Sequence, residues 1–311
     1  MAQRSASEVH AKKEMAKKII KHHFGVVPKK IEFQTTGLTN FVFETEVKSK
    51  GYIVRIAGNR NKLHDFIKEQ WATEKAREKN VPVPEILEVG NEIISLPYML
   101  QRKINGEEAT DHPKRLEILQ SLGSYARLIH SIPTSNFGKV FDWSKNRLSK
   151  NKTWAAFLDD ELDVPAHLKF FEKQGILTPK NVKKLSALFQ RAGKLKFAPR
   201  LNHGDLRLKN VLVNKAGKIA AIIDWENCMS GIVPYWDFSI ALHDLSIDGK
   251  QNFLEGYGLD FDEFNRRAWL IKAFNLINYS NTFKGIVEKK DNNRMAFYRL
   301  RINGYLDLFS I

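Results

Sequence analysis

The stretch His203-Gly204-Asp205-Leu206-Arg207-Leu208-Lys209-Asn210 constrains this chain more than any other. It is a polar loop followed by Val211-Leu212-Val213-Asn214, a turn at Lys215-Ala216-Gly217-Lys218, and an apolar run that ends in acids, Ile222-Ile223-Asp224-Trp225-Glu226. Two apolar runs across a glycine-containing turn predict a β-hairpin, and this hairpin would gather Asp205, Asn210 and Asp224. Three converging oxygen-bearing side chains, two of them carboxylates, suit a hard cation that carries phosphates, because Mg²⁺ takes few protein ligands and keeps water and phosphate oxygens. A carboxylate left over can orient a hydroxyl nucleophile.

The pattern H-G-D-x-x-x-x-N followed by I-I-D-W-E resembles the catalytic and metal-binding loops of the aminoglycoside phosphotransferase and choline kinase-like group. The resemblance implies an α+β, two-lobed protein-kinase-like fold, with a small antiparallel β-sheet N-lobe and a larger, mainly helical C-lobe. It sets residues 1–103 as the nucleotide-binding lobe, with a basic N-terminal helix, and residues 104–311 as the catalytic and substrate-binding lobe. Carried over residue by residue, Asp205 matches the catalytic base, Asn210 a metal ligand and Asp224 the main Mg²⁺ ligand. Arg207 stands two residues after Asp205, where protein kinases often carry a Lys, and would contact the transferring phosphoryl group; Lys209 competes for that role. The implied cofactors are ATP and Mg²⁺. The implied partner is a small-molecule hydroxyl acceptor, either an aminoglycoside-like antibiotic or a metabolite.

Upstream, Ile31-Glu32-Phe33-Gln34 leads through Thr35-Thr36-Gly37-Leu38-Thr39-Asn40 into the alternating run Phe41–Val47, a strand-loop-strand pattern. Gly37 permits close backbone approach, and Thr39 and Asn40 can donate to phosphates. No GxxxxGK[ST] and no complete GxGxxG occurs, so P-loop and Rossmann readings lack support. The next strand, residues 52–57, carries Arg55 inside an apolar run, and a buried charge needs a partner. Among Glu69, Glu74 and Glu78 on the following helix, spacing back from Val81-Pro82-Val83-Pro84, read as a strand start, favours Glu69. Residues 93–104 predict a last strand and a hinge, where backbone groups of Gln101 to Lys103 would hold adenine.

The formal net charge of the 311 residues is +15, which raises nucleic-acid binding as a function. The excess lies in residues 1–30 and 104–200, whereas residues 201–250 hold more acids than bases. A phosphate-backbone binder is expected to place its cations beside its functional loop, so the basic segments are read as solvated faces and nucleic acid is set aside. The alternative function is a non-catalytic kinase-like binding protein that uses its basic face for nucleic acid or another anionic partner. One cysteine, Cys228, excludes an intramolecular disulfide and fits a reducing, cytoplasmic location. No apolar run is long enough for a membrane span, and the N-terminus lacks the apolar core of a signal peptide. Residues 8–24 instead predict a helix packing Val9, Ala16, Ile20 and Phe24 inward.

The remainder has helical periodicity. Residues 113–131 put Leu116, Leu119, Leu122, Tyr125, Leu128 and Ile129 on one face, and His130 is a structural residue near the catalytic loop. Residues 139–200 form a Lys-rich helical insertion whose acids, Asp159, Asp160, Glu161 and Asp163, either face a cationic substrate or end a solvated helix. Asp237 is expected to cap a helix and tie it to the catalytic loop. The His243-Asp244 pair lacks the further His and Asp residues of a metal phosphohydrolase.

Overall fold

The computed structural model describes residues 5–35, 40–142, 145–148, 150–243 and 245–307. The chain divides into two compact units, residues 1–118 with 208–226, and residues 119–207 with 227–311. Among the described residues no helix is long and apolar enough to cross a membrane.

The first unit opens with helix α1 (Ala6–Phe24), started by Ser5, whose side chain accepts from Glu8 N, and stopped by Gly25 in the left-handed region. Strands β1 (Ile31–Gln34), β2 (Asn40–Val47), β3 (Lys50–Ala57), β4 (Ile86–Gly90) and β5 (Tyr98–Arg102) form an antiparallel sheet in the order β1-β2-β3-β5-β4. Side chains alternate along β3, so Tyr52, Val54 and Ile56 bury in one core with Ala16, Ile19 and Ile20 of α1. Arg55 therefore points to the other face, towards helix α2 (Leu63–Glu78). Val9 and Phe24 pack at the edge of the α1 core as expected.

Two strand expectations shift. Residues 93–97 are not extended into a strand, which begins at Tyr98, and the strand expected from Val81 begins at Ile86, after the two prolines that cannot donate to a ladder. The cut after residue 103 is also not where the contacts divide. Glu107 and Glu108 pair with Val213 and Leu212, and Ile222 N donates to Pro82 O at 2.8 Å, so residues 104–118 and the hairpin at 208–226 join the first unit.

In the second unit, helix α3 (Arg115–His130), which begins in the first unit, is followed by α4 (Trp154–Ala156), α5 (Val164–Lys173), α6 (Pro179–Gly193), α7 (Tyr235–Ala241), α8 (Ile247–Tyr257), α9 (Phe261–Glu288) and α10 (Asn292–Asp307). The short strands Arg200–Asn202 and Met229–Gly231 pair antiparallel. An aromatic core gathers Trp154, Phe157, Phe171, Phe189, Trp236 and Phe274 around α9. On α3 the buried face is Ile118, Leu119, Leu122, Ala126 and Ile129, while Leu116 and Leu128 are exposed. The buried face thus takes in Ile118 and Ala126 and leaves out Leu116 and Leu128, and α8 crosses α3 at backbone distance. A Cβ on Gly256 would stand 1.8 Å from Gln120 O, so only glycine allows that approach.

Candidate active site

In the first unit, Val211–Val213 and Ile219–Ile222 form the expected hairpin, with Val211 opposite Ile222. Ile223 N donates to Asn210 O at 2.9 Å, so Asn210 and Asp224 stand at the same end of the hairpin. Asn210 is buried. Asp224 has φ 66, a left-handed conformation that costs free energy for a residue with a side chain and is often held at functional sites. Trp225, fully buried, fixes the turn by donating from Nε1 to Ile222 O at 3.0 Å.

On the neighbouring sheet face, Arg55 Nη1 donates to Glu69 Oε1 at 2.5 Å. Glu69 is the partner that spacing favoured, while Glu74 is exposed and Glu78 pairs with Lys75. Burial is the main influence on Glu69 and raises its pKa; the negative charges of Asp224 and Glu226 raise it further, against the opposing pull of Arg55. Arg55 itself is held charged by Glu69, Asp224 and Glu226 in spite of burial. Glu69 Oε2 is buried without a hydrogen-bond partner among the described residues.

Sequence reasoning missed Lys68, which is buried and donates from Nζ to Glu226 O at 2.6 Å. This bond ties α2 to the turn that carries Asp224. Its signal was available: Lys68 lies on the line Lys68-Ala72-Ala76, the buried i, i+4, i+8 stripe of α2.

The predicted nucleotide residues fare unevenly. Gly37 and Thr39 lie outside the described residues. Asn40 begins β2, buried, with Oδ1 unpartnered among the described residues. Gln101 lies in β5 opposite Ile53 and Ile86. Arg102 N donates to Glu85 O and Lys103 N to Gly51 O, and the Lys103 ammonium pairs with Glu44. The amide donors of Arg102 and Lys103 are thus taken up by the sheet edge, not offered to a base.

In the second unit, Asp205 and Arg207 sit on a loop organised by one buried carboxylate. Asp237 accepts from His203 N at 2.8 Å and from Gly204 N at 2.7 Å, and His130 Nε2 donates to it at 3.0 Å. Burial alone would raise the Asp237 pKa, but the hydrogen bond and charge of His130, with His203 and the Gly204 amide, hold it below the usual carboxylate value. Asp237 therefore ties the loop, as expected, without capping a helix: it lies inside α7, whose first turn follows Pro234. The His203 ring, fully buried, accepts from Asp205 N through Nδ1 at 3.2 Å. Gly204 has φ 81, and a Cβ there would stand 2.0 Å from Asn227 O, so the H-G-D turn requires glycine.

Asp205 is nearly buried, and its Oδ1 accepts from Arg207 Nε at 2.6 Å. Lys209, the competitor of Arg207, is exposed. Asp205 and Arg207 both line a cavity of about 410 Å³ whose far wall comes from α7, α9 and α10, including Ser239, Asn278, Tyr279 and Arg301. Burial raises the Tyr279 pKa to about 12, in spite of Arg301 and Arg207. The arrangement can place a hydroxyl against a carboxylate whose orientation is fixed from behind. Asp244 lies outside the described residues.

The chain resembles known proteins in family and fold. A profile of the phosphotransferase enzyme family, APH, matches residues 31–270. Hygromycin-B 4-O-kinase of Escherichia coli is 26% identical over 200 residues, 62% of this chain and 56% of that enzyme, so the match spans little more than half of the relative's length. The crystal structure of a thermostable mutant of aminoglycoside phosphotransferase APH(4)-Ia, in ternary complex with AMP-PNP and hygromycin B, superimposes with a TM-score of 0.70 at 19% identity, covering 94% of this chain and 98% of that one. The GDP and kanamycin complex of an aminoglycoside 2″-phosphotransferase gives 0.65 at 15% identity, covering 97% and 100%. At these identities the structural likeness is one of fold, and it is the kinase-like α+β fold expected from the H-G-D and I-I-D-W-E motifs. With the family profile covering most of its length, the chain belongs to the phosphotransferase enzyme family.

Proposed function

We propose that this protein transfers the γ-phosphate of ATP to a hydroxyl of a small molecule, either an aminoglycoside-like antibiotic or a metabolite, in the cytoplasm. The observation that carries this reading is the Asp205 loop: a carboxylate oriented through His203, Gly204 and Asp237 at the wall of a cavity sized for a small molecule. Phosphoryl transfer asks chiefly for alignment and charge neutralisation. Asp205 aligns the acceptor hydroxyl and takes its proton, and Arg207 fixes one Asp205 oxygen while offering its remaining guanidinium N–H groups to the transferring group.

The residues of the first unit fit a nucleotide with Mg²⁺. An amide oxygen and a carboxylate, Asn210 and Asp224, are hard donors of the kind Mg²⁺ takes in small number, and among the described residues no group of three or more His, Cys, Asp or Glu is assembled that would hold a metal without a phosphate partner. Three carboxylates, Glu69, Asp224 and Glu226, act on Arg55, leaving negative charge that a bound cation would offset. When bound, Mg²⁺ neutralises phosphate charge. Arg55, positioned by Glu69, is the candidate for the nucleotide's phosphates, and Gly37, Thr39 and Asn40 are candidates beside it by residue type. Adenine recognition falls to the backbone around Gln101 to Lys103, through groups other than the two amides taken up by the sheet.

The test is Mg²⁺-dependent ADP release across aminoglycosides, sugars and amino alcohols. Acceptor-stimulated release that vanishes in Asp205→Asn is the expected result. ATP binding without release for any acceptor, or no ATP binding, would sink the reading and favour a kinase-like binding protein.

A further inference from the structure

Two consecutive residues of α2 hold two different parts of the first unit. Glu69 pairs with Arg55 of β3, and Lys68 donates from Nζ to Glu226 O at 2.6 Å. Lys68 is 4% exposed. Taking an ammonium out of water costs free energy, and an apolar side chain would fill the same place on the Lys68-Ala72-Ala76 stripe without that cost. The carbonyl it holds ends the segment Asp224-Trp225-Glu226, whose first residue has φ 66. A strained backbone of this kind persists only where its surroundings fix it from several sides. Trp225 Nε1 donates to Ile222 O at 3.0 Å and Ile223 N to Asn210 O at 2.9 Å, so the turn is braced by its own hairpin. Lys68 braces it from outside the hairpin, from the helix that also carries Glu69.

Resting on the kinase reading above, we infer that Lys68 is a positioning residue for the Mg²⁺ site: by holding the Glu226 carbonyl it fixes the backbone that carries Asp224 two residues earlier. Helix α2 then places the metal carboxylate through Lys68 and the phosphate-binding guanidinium of Arg55 through Glu69. A hydrogen bond from a charged donor is stronger than a neutral one, so one ammonium is an effective brace for a turn under strain. Asn210, the other hard donor, is placed by the hairpin and not by α2. Loss of Lys68 therefore weakens the metal site through Asp224 and leaves the Asn210 half of it in place.

The experiment is calorimetric titration of the full chain with AMP-PNP, with and without Mg²⁺, for wild type, Lys68→Met, Lys68→Arg, Asp224→Ala and the double variant of Lys68→Met with Asp224→Ala. Lys68→Met keeps the length of the side chain and removes the ammonium. It should weaken the Mg²⁺-dependent affinity about tenfold, the scale of one lost hydrogen bond from a charged group, and leave the Mg²⁺-free affinity near wild type. Lys68→Arg should recover most of the loss. In the Asp224→Ala background Lys68→Met should add nothing, because it acts through Asp224. If Lys68→Met does not fold, Lys68→Gln, which keeps a neutral donor on a shorter stem, replaces it with the same expectation. Amide exchange of the nucleotide-free chain is the second readout: residues 224–228 should exchange faster in the variant while the five-stranded sheet keeps its protection. Four results overturn the inference: unchanged Mg²⁺-dependent affinity in the folded variant, equal loss with and without Mg²⁺, additive losses in the double variant, or unchanged exchange at 224–228. The two readings fail differently. Wild type that binds AMP-PNP no better with Mg²⁺ sinks the kinase reading and this inference with it, whereas the predicted Lys68 effect without ADP release for any acceptor sinks the kinase reading alone.

Discussion

Two buried carboxylates, Glu69 in the first unit and Asp237 in the second, are shifted in opposite directions by their surroundings. Glu69 has one guanidinium partner and two further carboxylates acting on it, so burial prevails and its pKa rises. Asp237 receives His130 and two backbone N–H groups, and its pKa falls despite complete burial. The contrast carries into the sites themselves: among the described residues, carboxylates outnumber cations around Arg55, and cations outnumber carboxylates on the wall of the cavity beside Asp205. The net charge of the whole chain does not report either.

The largest expected effect breaks the second site chemically. Asp205→Asn should lower acceptor-stimulated turnover by about 10²- to 10⁴-fold, the range for loss of a general base, with thermal unfolding unchanged; a turnover within a few-fold of wild type would remove Asp205 from the chemistry.

Next comes the scaffold. Asp237→Ala should cost about 3–5 kcal/mol in denaturant unfolding, because it strands His130 and two buried amides. Its pH dependence has a definite sign. With a folded pKa below the ordinary 3.8, Asp237 contributes stability that is complete above that value and lost as pH falls through the folded one. Asp237→Asn should flatten that acid limb. Glu69 runs the other way: its folded pKa is raised, so its effect on stability is most favourable below the ordinary 4.5 and is lost as pH rises through the folded value. Glu69→Gln should remove that loss on the rising side, and an unchanged profile would mean that Glu69 is not held against Asp224 and Glu226.

The smallest effect separates neighbours on one loop. Arg207→Ala should slow single-turnover transfer by about tenfold, as loss of one charge-assisted contact does, whereas Lys209→Ala, exposed in the structure, should leave the rate near wild type. The reverse order would move the phosphoryl contact to Lys209.

Much of this was legible in the chain where local chemistry decides placement. The hairpin and the Arg55–Glu69 pair follow from two apolar runs across a turn and the need to pair a buried charge, and the tie of Asp237 to the loop follows the family pattern. What stayed hidden depends on packing between segments distant in sequence. Lys139 and Arg301, 162 positions apart by numbering, meet one cavity only because α7, α9 and α10 fold around it. The close approach of α8 to α3, where Gly256 meets Gln120, brings together segments far apart in sequence, which periodicity within α3 cannot tell. The amides of Arg102 and Lys103, on the segment read as the adenine-holding hinge, find their partners in Glu85 O and Gly51 O on other segments, which the local pattern does not show.

The division of labour between the two units is tested most directly by ATP affinity, measured calorimetrically with and without Mg²⁺ for wild type, Asp224→Ala and Asp205→Asn. The account predicts that Asp224→Ala loses the Mg²⁺-dependent part of the affinity, while Asp205→Asn binds ATP like wild type and fails only in transfer. Equal loss of Mg²⁺-dependent affinity in both variants, or in neither, would contradict it.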